Sequence, residues 1–182
     1  MSTKKMVAIA LFAAMAVVLM WFPQFPLIPA APYLQYDFSD VPILIGAFSL
    51  GPAAGFFMTT VKNLIYFVTK GKSGLIGTFM NWSTTLLFIL PAALIYHKVK
   101  KSKWSALLGM LVGTIIFTIG AVYLNIYVAL PIWGIPTDNI IPLIKTAVIP
   151  FNLLRGAIST LMTMLLYRRV TDLIRGSLKL DD

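Results

Sequence analysis

Residues 36–63 read YDFSDVPILIGAFSLGPAAGFFMTTVKN, and the way this stretch divides decides the fold. Two acids, Asp37 and Asp40, precede 21 uncharged residues, 41–61, and the run ends at Lys62 and Asn63. A membrane helix needs about 20 apolar residues, so hydropathy alone would make one span of it. Gly51-Pro52 lies in its middle, however, and a proline ring disfavours helical geometry in the residue before it. The stretch therefore predicts a short helix ending at Leu50, a reversal, and a second helix starting at Pro52. That choice sets the side of the membrane on which every later loop lies.

Composition makes the membrane reading general. Of 182 residues, 59% are hydrophobic and 12% charged, with mean hydropathy +0.87, whereas a soluble domain carries roughly a quarter charged residues. The chain predicts an all-α integral membrane protein, a single membrane domain over 1–182, with six transmembrane helices in one compact bundle at about 5–22, 40–50, 52–69, 75–97, 104–130 and 145–168. The absence of cysteine excludes disulfides and thiolate metal sites. The one histidine, His97, lies in the basic segment HKVKKSK, so no imidazole is available at membrane depth, and glutamate is absent altogether. An activated nucleophile or a catalytic metal would need such groups. The expectation is that the chain is not an enzyme and has neither catalytic residues nor a metal site.

The first helix follows a short basic lead. Its apolar run is long for a signal peptide and has no clean cleavage site after it, so it is expected to be retained. Ala10, Ala13, Ala14 and Ala16 give it a small-residue face, with Ala10 and Ala14 spaced for close approach of another helix, within the bundle or outside it. Residues 23–32 hold four prolines and form a loop, either a lid folded back on the protein or a segment at headgroup level. The sequence GKSG at 71–74 resembles part of a phosphate loop, but the first glycine of that motif would fall at Tyr66 and no strand precedes it. It reads as a turn. Gly109 and Gly113 form a GxxxG pair in the fifth helix.

Charge then orients the bundle. With six spans and a cytoplasmic N-terminus, Lys4, Lys5, Lys98, Lys100, Lys101, Lys103, Arg168, Arg169, Arg175 and Lys179 fall inside, and Lys70, Lys72 and Lys145 outside. The positive-inside rule favours this arrangement, with both termini cytoplasmic. It also accounts for the net charge of +9 through the anionic leaflet of the lipid bilayer, with no nucleic acid as partner.

Depth brings the polar residues together. At about 1.5 Å rise per residue, Asn81, Asn125 and Asn152 lie about 9–10 Å below the outer surface, Lys62 about 12 Å and Arg155 about 15 Å. The short second helix sets Asp40 near the level of Lys62. Asp40 and Lys62 are thus a candidate ion pair, serving a site or only stapling two helices. Asn152 and Arg155 share a helix face. Arg155 has no evident acid at its own level, so it is expected to meet a ligand or backbone carbonyls. Amides offering donor and acceptor, beside one cation, suit a neutral or anionic heteroaromatic ligand better than a metal. Trp82, Phe88, Phe117, Tyr123, Tyr127 and Phe151 are candidate flat walls.

At DFSDVP (37–42), GPAAG (51–55), Lys62-Asn63, Asn125 with Tyr127, and PFNLLRG (150–156) the chain resembles the substrate-binding S components of energy-coupling factor (ECF) vitamin transporters, in particular the riboflavin-specific ones, over nearly its whole length. The resemblance implies six helices and an extracellular gating loop between helices 1 and 2. It implies that Asn125, Asn152 and Arg155 hold the edge of the flavin ring; Asn81 from the depth count, Tyr127, and Tyr36 and Phe38 from the loop complete the expected substrate-binding set. It implies that Ala10 and Ala14 contact a transmembrane coupling subunit, which works with two ATPase subunits in the bacterial cell membrane. The family often has Lys where Arg155 stands, and the transported ligand implied is riboflavin or its phosphate FMN. No cofactor is implied.

Overall fold

The computed structural model describes residues 3–29, 31–69 and 74–178, with side chains described through residue 167. The turn at 71–73, Lys70 and the side chains of the basic tail lie outside the described residues. Among the described residues there are six helices: α1 (Thr3–Trp21), α2 (Asp40–Leu50), α3 (Pro52–Thr69), α4 (Gly74–Lys98), α5 and α6. α5 runs over Lys103–Leu124, continues through a π turn at Asn125–Ala129 and ends at Leu130–Ile132. α6 begins at Thr137–Leu143, passes a second π turn at Ile144–Val148 and continues over Ile149–Leu178. Four of these helices are long and apolar enough to cross a membrane: Thr3–Trp21, Gly74–Lys98, Lys103–Ile132 and Thr137–Tyr167.

The division of the opening stretch is visible directly. α2 ends at Leu50, Gly51 adopts φ +102° and its N–H bonds Ala47 O, and Pro52 opens α3. A positive φ favours glycine, and a proline without an N–H fits the first turn of a helix. The short helix α2 is the centre of the bundle. All its residues but Ser49 are buried, which is what a helix that is apolar all round requires. It packs against α1, α3, α4 and α6, and Ile43, Leu44, Ala47 and Phe48 join Met58, Phe88, Ile89 and Met110 in the main core. At its C-terminal end the His97 ring, in the last turn of α4, meets Ala47 O at 3.1 Å.

The GxxxG pair joins α5 to α4. A Cβ on Gly109 would lie 2.6 Å from Ala92 O, and one on Gly113 2.6 Å from Phe88 O, so only hydrogen at these positions allows the backbones to touch. α5 starts at a capping box in which Ser102 Oγ accepts from Ser105 N and Ser105 Oγ accepts from Ser102 N.

The sixth helix differs from the expectation of 145–168: it is helical from Thr137. Pro142 reads as a breaker, but the π turn that directly follows it adjusts the hydrogen-bond ladder, so the proline is tolerated. Lys145 therefore lies inside the helix rather than at its outer end, and the connection between α5 and α6 shrinks to 133–136. Between α1 and α2 the loop forms a two-residue hairpin, Phe25–Pro26 (β1) antiparallel to Gln35–Tyr36 (β2), with Phe25 opposite Tyr36.

Candidate functional site

A cavity of about 500 Å³ opens at the end of the bundle opposite the Gly51 turn, within the range of small-molecule sites. The loop supplies Tyr33, Leu34, Gln35 and Asp37; the helices supply Tyr66, Asn81, Thr84, Asn125, Asn152 and Arg155 among others. Asn81, Asn125, Asn152 and Arg155, brought to one level by counting helical rise, thus share one lining.

The amides have a defined polarity. Asn125 Nδ2 donates to Ala121 O at 2.8 Å, and Asn152 Nδ2 donates to Val148 O at 2.7 Å. One N–H of each amide is held by its own helix, which leaves the oxygen and the second N–H for whatever fills the cavity. Asn81 Oδ1 is buried without a hydrogen-bond partner. A buried acceptor left so costs about 1–3 kcal/mol, a cost that a bound donor would remove.

Arg155 departs from its expectation. Its Nε donates to Asp40 Oδ2 at 2.9 Å and its Nη2 to Asp40 Oδ1 at 3.1 Å, a two-pronged pair. Nη2 also donates to Thr85 Oγ1 at 2.9 Å and Nη1 to Thr84 Oγ1 at 3.4 Å. The planar fork of a guanidinium fits a carboxylate better than an ammonium does. The candidate partner Lys62 stands 3.9 Å from Asp40 Oδ1 and donates instead to Ser39 Oγ at 3.0 Å. Lys62 and Asp40 are 0% and 1% exposed and do not line the cavity; they stand behind it. Burial raises the Asp37 carboxyl above its ordinary range, against the pull of Lys62 and the hydrogen bond it accepts from Ser39 N.

Three expected site residues do not line the cavity. Tyr127 is 65% exposed and stacks on Tyr123 outside the bundle, with ring centroids 4.6 Å apart. It follows Asn125 by two residues, and positions i and i+2 point to different sides of a helix. Tyr36 is 1% exposed and reaches down between the helices, its hydroxyl 3.3 Å from Ser159 Oγ, and burial pushes its phenol up to about 12. Phe38 packs against Tyr36 and Phe25 in a three-ring cluster. Tyr36 belongs to the stem of the loop, opposite Phe25 in the hairpin, and Phe38 lies two residues further on, just before α2. Of the candidate aromatic walls Phe151 alone lines the cavity; Phe88 and Phe117 are core, and Trp82 and Tyr123 line a separate groove on the outside of α4 and α5.

Sequence reasoning missed Asp37, Tyr66, Thr84 and Trp133 as lining residues. Helical spacing carried a signal for two of them, since Tyr66 is one turn beyond Lys62 and Thr84 three residues beyond Asn81. Trp133 carried none: it meets Tyr33 edge-to-face at 6.1 Å, a contact between two loops.

On α1, Ala8, Ala13 and Ala16 are buried in the bundle, whereas Ala10 and Ala14 lie on an exposed face with Leu11, Met15 and Val18.

The sequence profile described as "ECF transporter, substrate-specific component" matches residues 4–167. A protein of Staphylococcus aureus (strain TCH60) named "Riboflavin transporter RibU" is 36% identical over 94% of this chain and 93% of its own length. One of Bacillus subtilis (strain 168) named "Riboflavin transporter FmnP" is 33% identical over 92% of each. A solved structure described as "Structure and mechanism of the S component of a bacterial ECF transporter" superimposes with a TM-score of 0.80 at 36% identity, covering 94% of this chain and 98% of the other. The helical bundle, its apolar spans and these matches identify a membrane protein, and the chain belongs to the family of substrate-specific components of ECF transporters.

Proposed function

We propose that this chain is the riboflavin-binding S component of an ECF-type importer in the bacterial cell membrane, and that it captures the flavin from outside in the cavity under the α1–α2 loop. The observation that carries the reading is the lining: amide oxygens of Asn125 and Asn152 with the unpartnered oxygen of Asn81 facing an Arg155 edge, in a family whose matched relatives are named riboflavin transporters. The flavin ring edge and the ribityl hydroxyls supply N–H and O–H donors to such oxygens, and its ring acceptors face the Nη1 side of Arg155. Phe151 offers an apolar wall.

In this reading the chain has six spans with both termini cytoplasmic, and the cavity lies in the outer half of the membrane. The loop between α1 and α2 acts as the gate. α1 presents Ala10 and Ala14 to a transmembrane coupling subunit, and two ATPase subunits supply the energy. The chain itself is a binding subunit and not an enzyme.

Purification without added ligand tests the proposal. The expected product is yellow, with a flavin whose fluorescence is quenched until the protein is denatured. Asn152→Ala is expected to weaken riboflavin binding at least tenfold, about 1.4 kcal/mol, in a fluorescence titration. A folded protein that neither carries nor takes up flavin rejects the reading.

A further inference from the structure

Four ionisable side chains meet beside the cavity: Asp37 and Arg155 on its wall, Asp40 and Lys62 behind them. The Arg155 charge faces the ligand but is held from behind by both carboxylate oxygens of Asp40. Four of the five guanidinium N–H groups are engaged, by Asp40, Thr84 and Thr85. The Asp37 carboxyl also lines the cavity, while the Lys62 ammonium behind it stands 3.9 Å from Asp40 Oδ1 and donates to Ser39 Oγ at 3.0 Å. The cluster therefore sums to zero, with one charge of each sign in front and one of each behind, Asp40 holding both cations. Moving a proton from Lys62 to Asp37 leaves that sum unchanged.

A charge taken out of water needs a partner, and a buried ion without one is strongly disfavoured. In this cavity every cation already has its anion. A phosphorylated ligand would bring a dianion into a space lacking an uncommitted counter-ion, beside a carboxyl on the wall. An uncharged ligand meets dipoles, one spare guanidinium N–H and the Asp37 carboxyl as an acceptor, and brings no charge that needs a partner.

Resting on the flavin reading above, we infer that Asp40 and Asp37 are specificity-determining residues that set the ligand's charge: by neutralising Arg155 and Lys62 they make the site select an uncharged vitamin over its phosphate. Asp40 acts through Arg155 and is a positioning residue; Asp37 acts from the cavity wall. A phosphate in a cavity of about 500 Å³ lies within about 10 Å of both carboxylates. At an effective dielectric of about 20, one unit charge at that distance changes affinity on the order of tenfold.

The test compares riboflavin with riboflavin 5′-phosphate by flavin-fluorescence quenching on flavin-free protein in wild type, Asp37→Asn and Asp40→Asn. Wild type is expected to bind riboflavin at least tenfold tighter. Each variant is expected to narrow that ratio about fivefold or more, because one carboxylate that repels the phosphate is removed. A merely structural role would weaken both ligands in parallel and leave the ratio fixed, and that outcome overturns the inference. So does a wild type that binds both flavins equally. Wild type binding neither flavin rejects the flavin reading itself, a distinguishable result. If Asp40→Asn does not fold, Asp37→Asn decides alone, since its isosteric amide keeps the acceptor for Ser39 N.

Discussion

Asp37 is the residue on which loop position and charge meet. Burial raises its carboxyl above the ordinary range, outweighing the attraction of Lys62. A carboxyl whose folded value is raised binds its proton more tightly folded than unfolded. Its contribution to stability is therefore largest at low pH and is lost as pH rises through the folded value. Asp37→Asn mimics the protonated form, so the ligand-free variant is expected to melt above wild type at pH 8. That gain should vanish below the ordinary carboxylate range. An equal gain at all pH values, read by differential scanning fluorimetry, would mean that the charge is not what costs stability. At this scale the sequence was informative about depth but not about partners. A helix rises by a fixed amount per residue, which is why Asn81, Asn125 and Asn152 could be set at one level. The Asp40–Arg155 pair joins residues 115 apart, and no local pattern encodes which of two cations a carboxylate takes.

Among the elements, the α4–α5 seam depends on two absent side chains. Gly113 leaves no room for a methyl group, which would fall 2.6 Å from Phe88 O and 3.0 Å from the Phe88 ring. Backbone atoms cannot give way as a flexible side chain can. Gly113→Ala is expected to cost about 1–3 kcal/mol, the usual range for overpacking, and to lower the melting temperature by several degrees. Because Phe88 lies in the core rather than in the cavity lining, riboflavin affinity of the surviving folded fraction should be unchanged, a split that titration at low temperature would resolve. The GxxxG spacing and the Gly51-Pro52 break were both legible because each is a local rule of backbone geometry. The start of α6 was not. A proline at 142 argues for a boundary, and only the π turn beside it, a tertiary accommodation with no sequence code, lets the helix run through from Thr137.

The whole molecule has two ends of opposite character. One holds the cavity, the α1–α2 loop and the short α5–α6 connection; the other holds the Gly51 turn, the His97 contact and the lysines between α4 and α5. Along its side, α1 leaves Ala10 and Ala14 exposed beside larger apolar residues, a notch that a partner helix can approach closely. Ala14→Leu fills the notch without touching the cavity. It should leave riboflavin affinity of the purified protein unchanged and cut uptake by cells at least tenfold, whereas unimpaired uptake would remove that face from the coupling contact. The orientation of the two ends rests on charge. Lysines are expected on the cytoplasmic side because carrying them across the hydrocarbon is costly and the inner leaflet attracts them. The chain has no cysteine, so single-cysteine variants report one position each. Asp138→Cys, at the start of α6, is expected to react with a membrane-impermeant maleimide in intact cells. Lys101→Cys, in the turn between α4 and α5, is expected to react only after the membrane is permeabilised. α5 is 30 residues long from Lys103 to Ile132, about 45 Å at helical rise, enough to hold these two positions on opposite faces of a bilayer. The reverse labelling pattern would turn the cavity toward the cytoplasm. A loop closing over vitamin from that side could not serve capture from the medium, so the import mechanism would fall even if the protein still bound flavin.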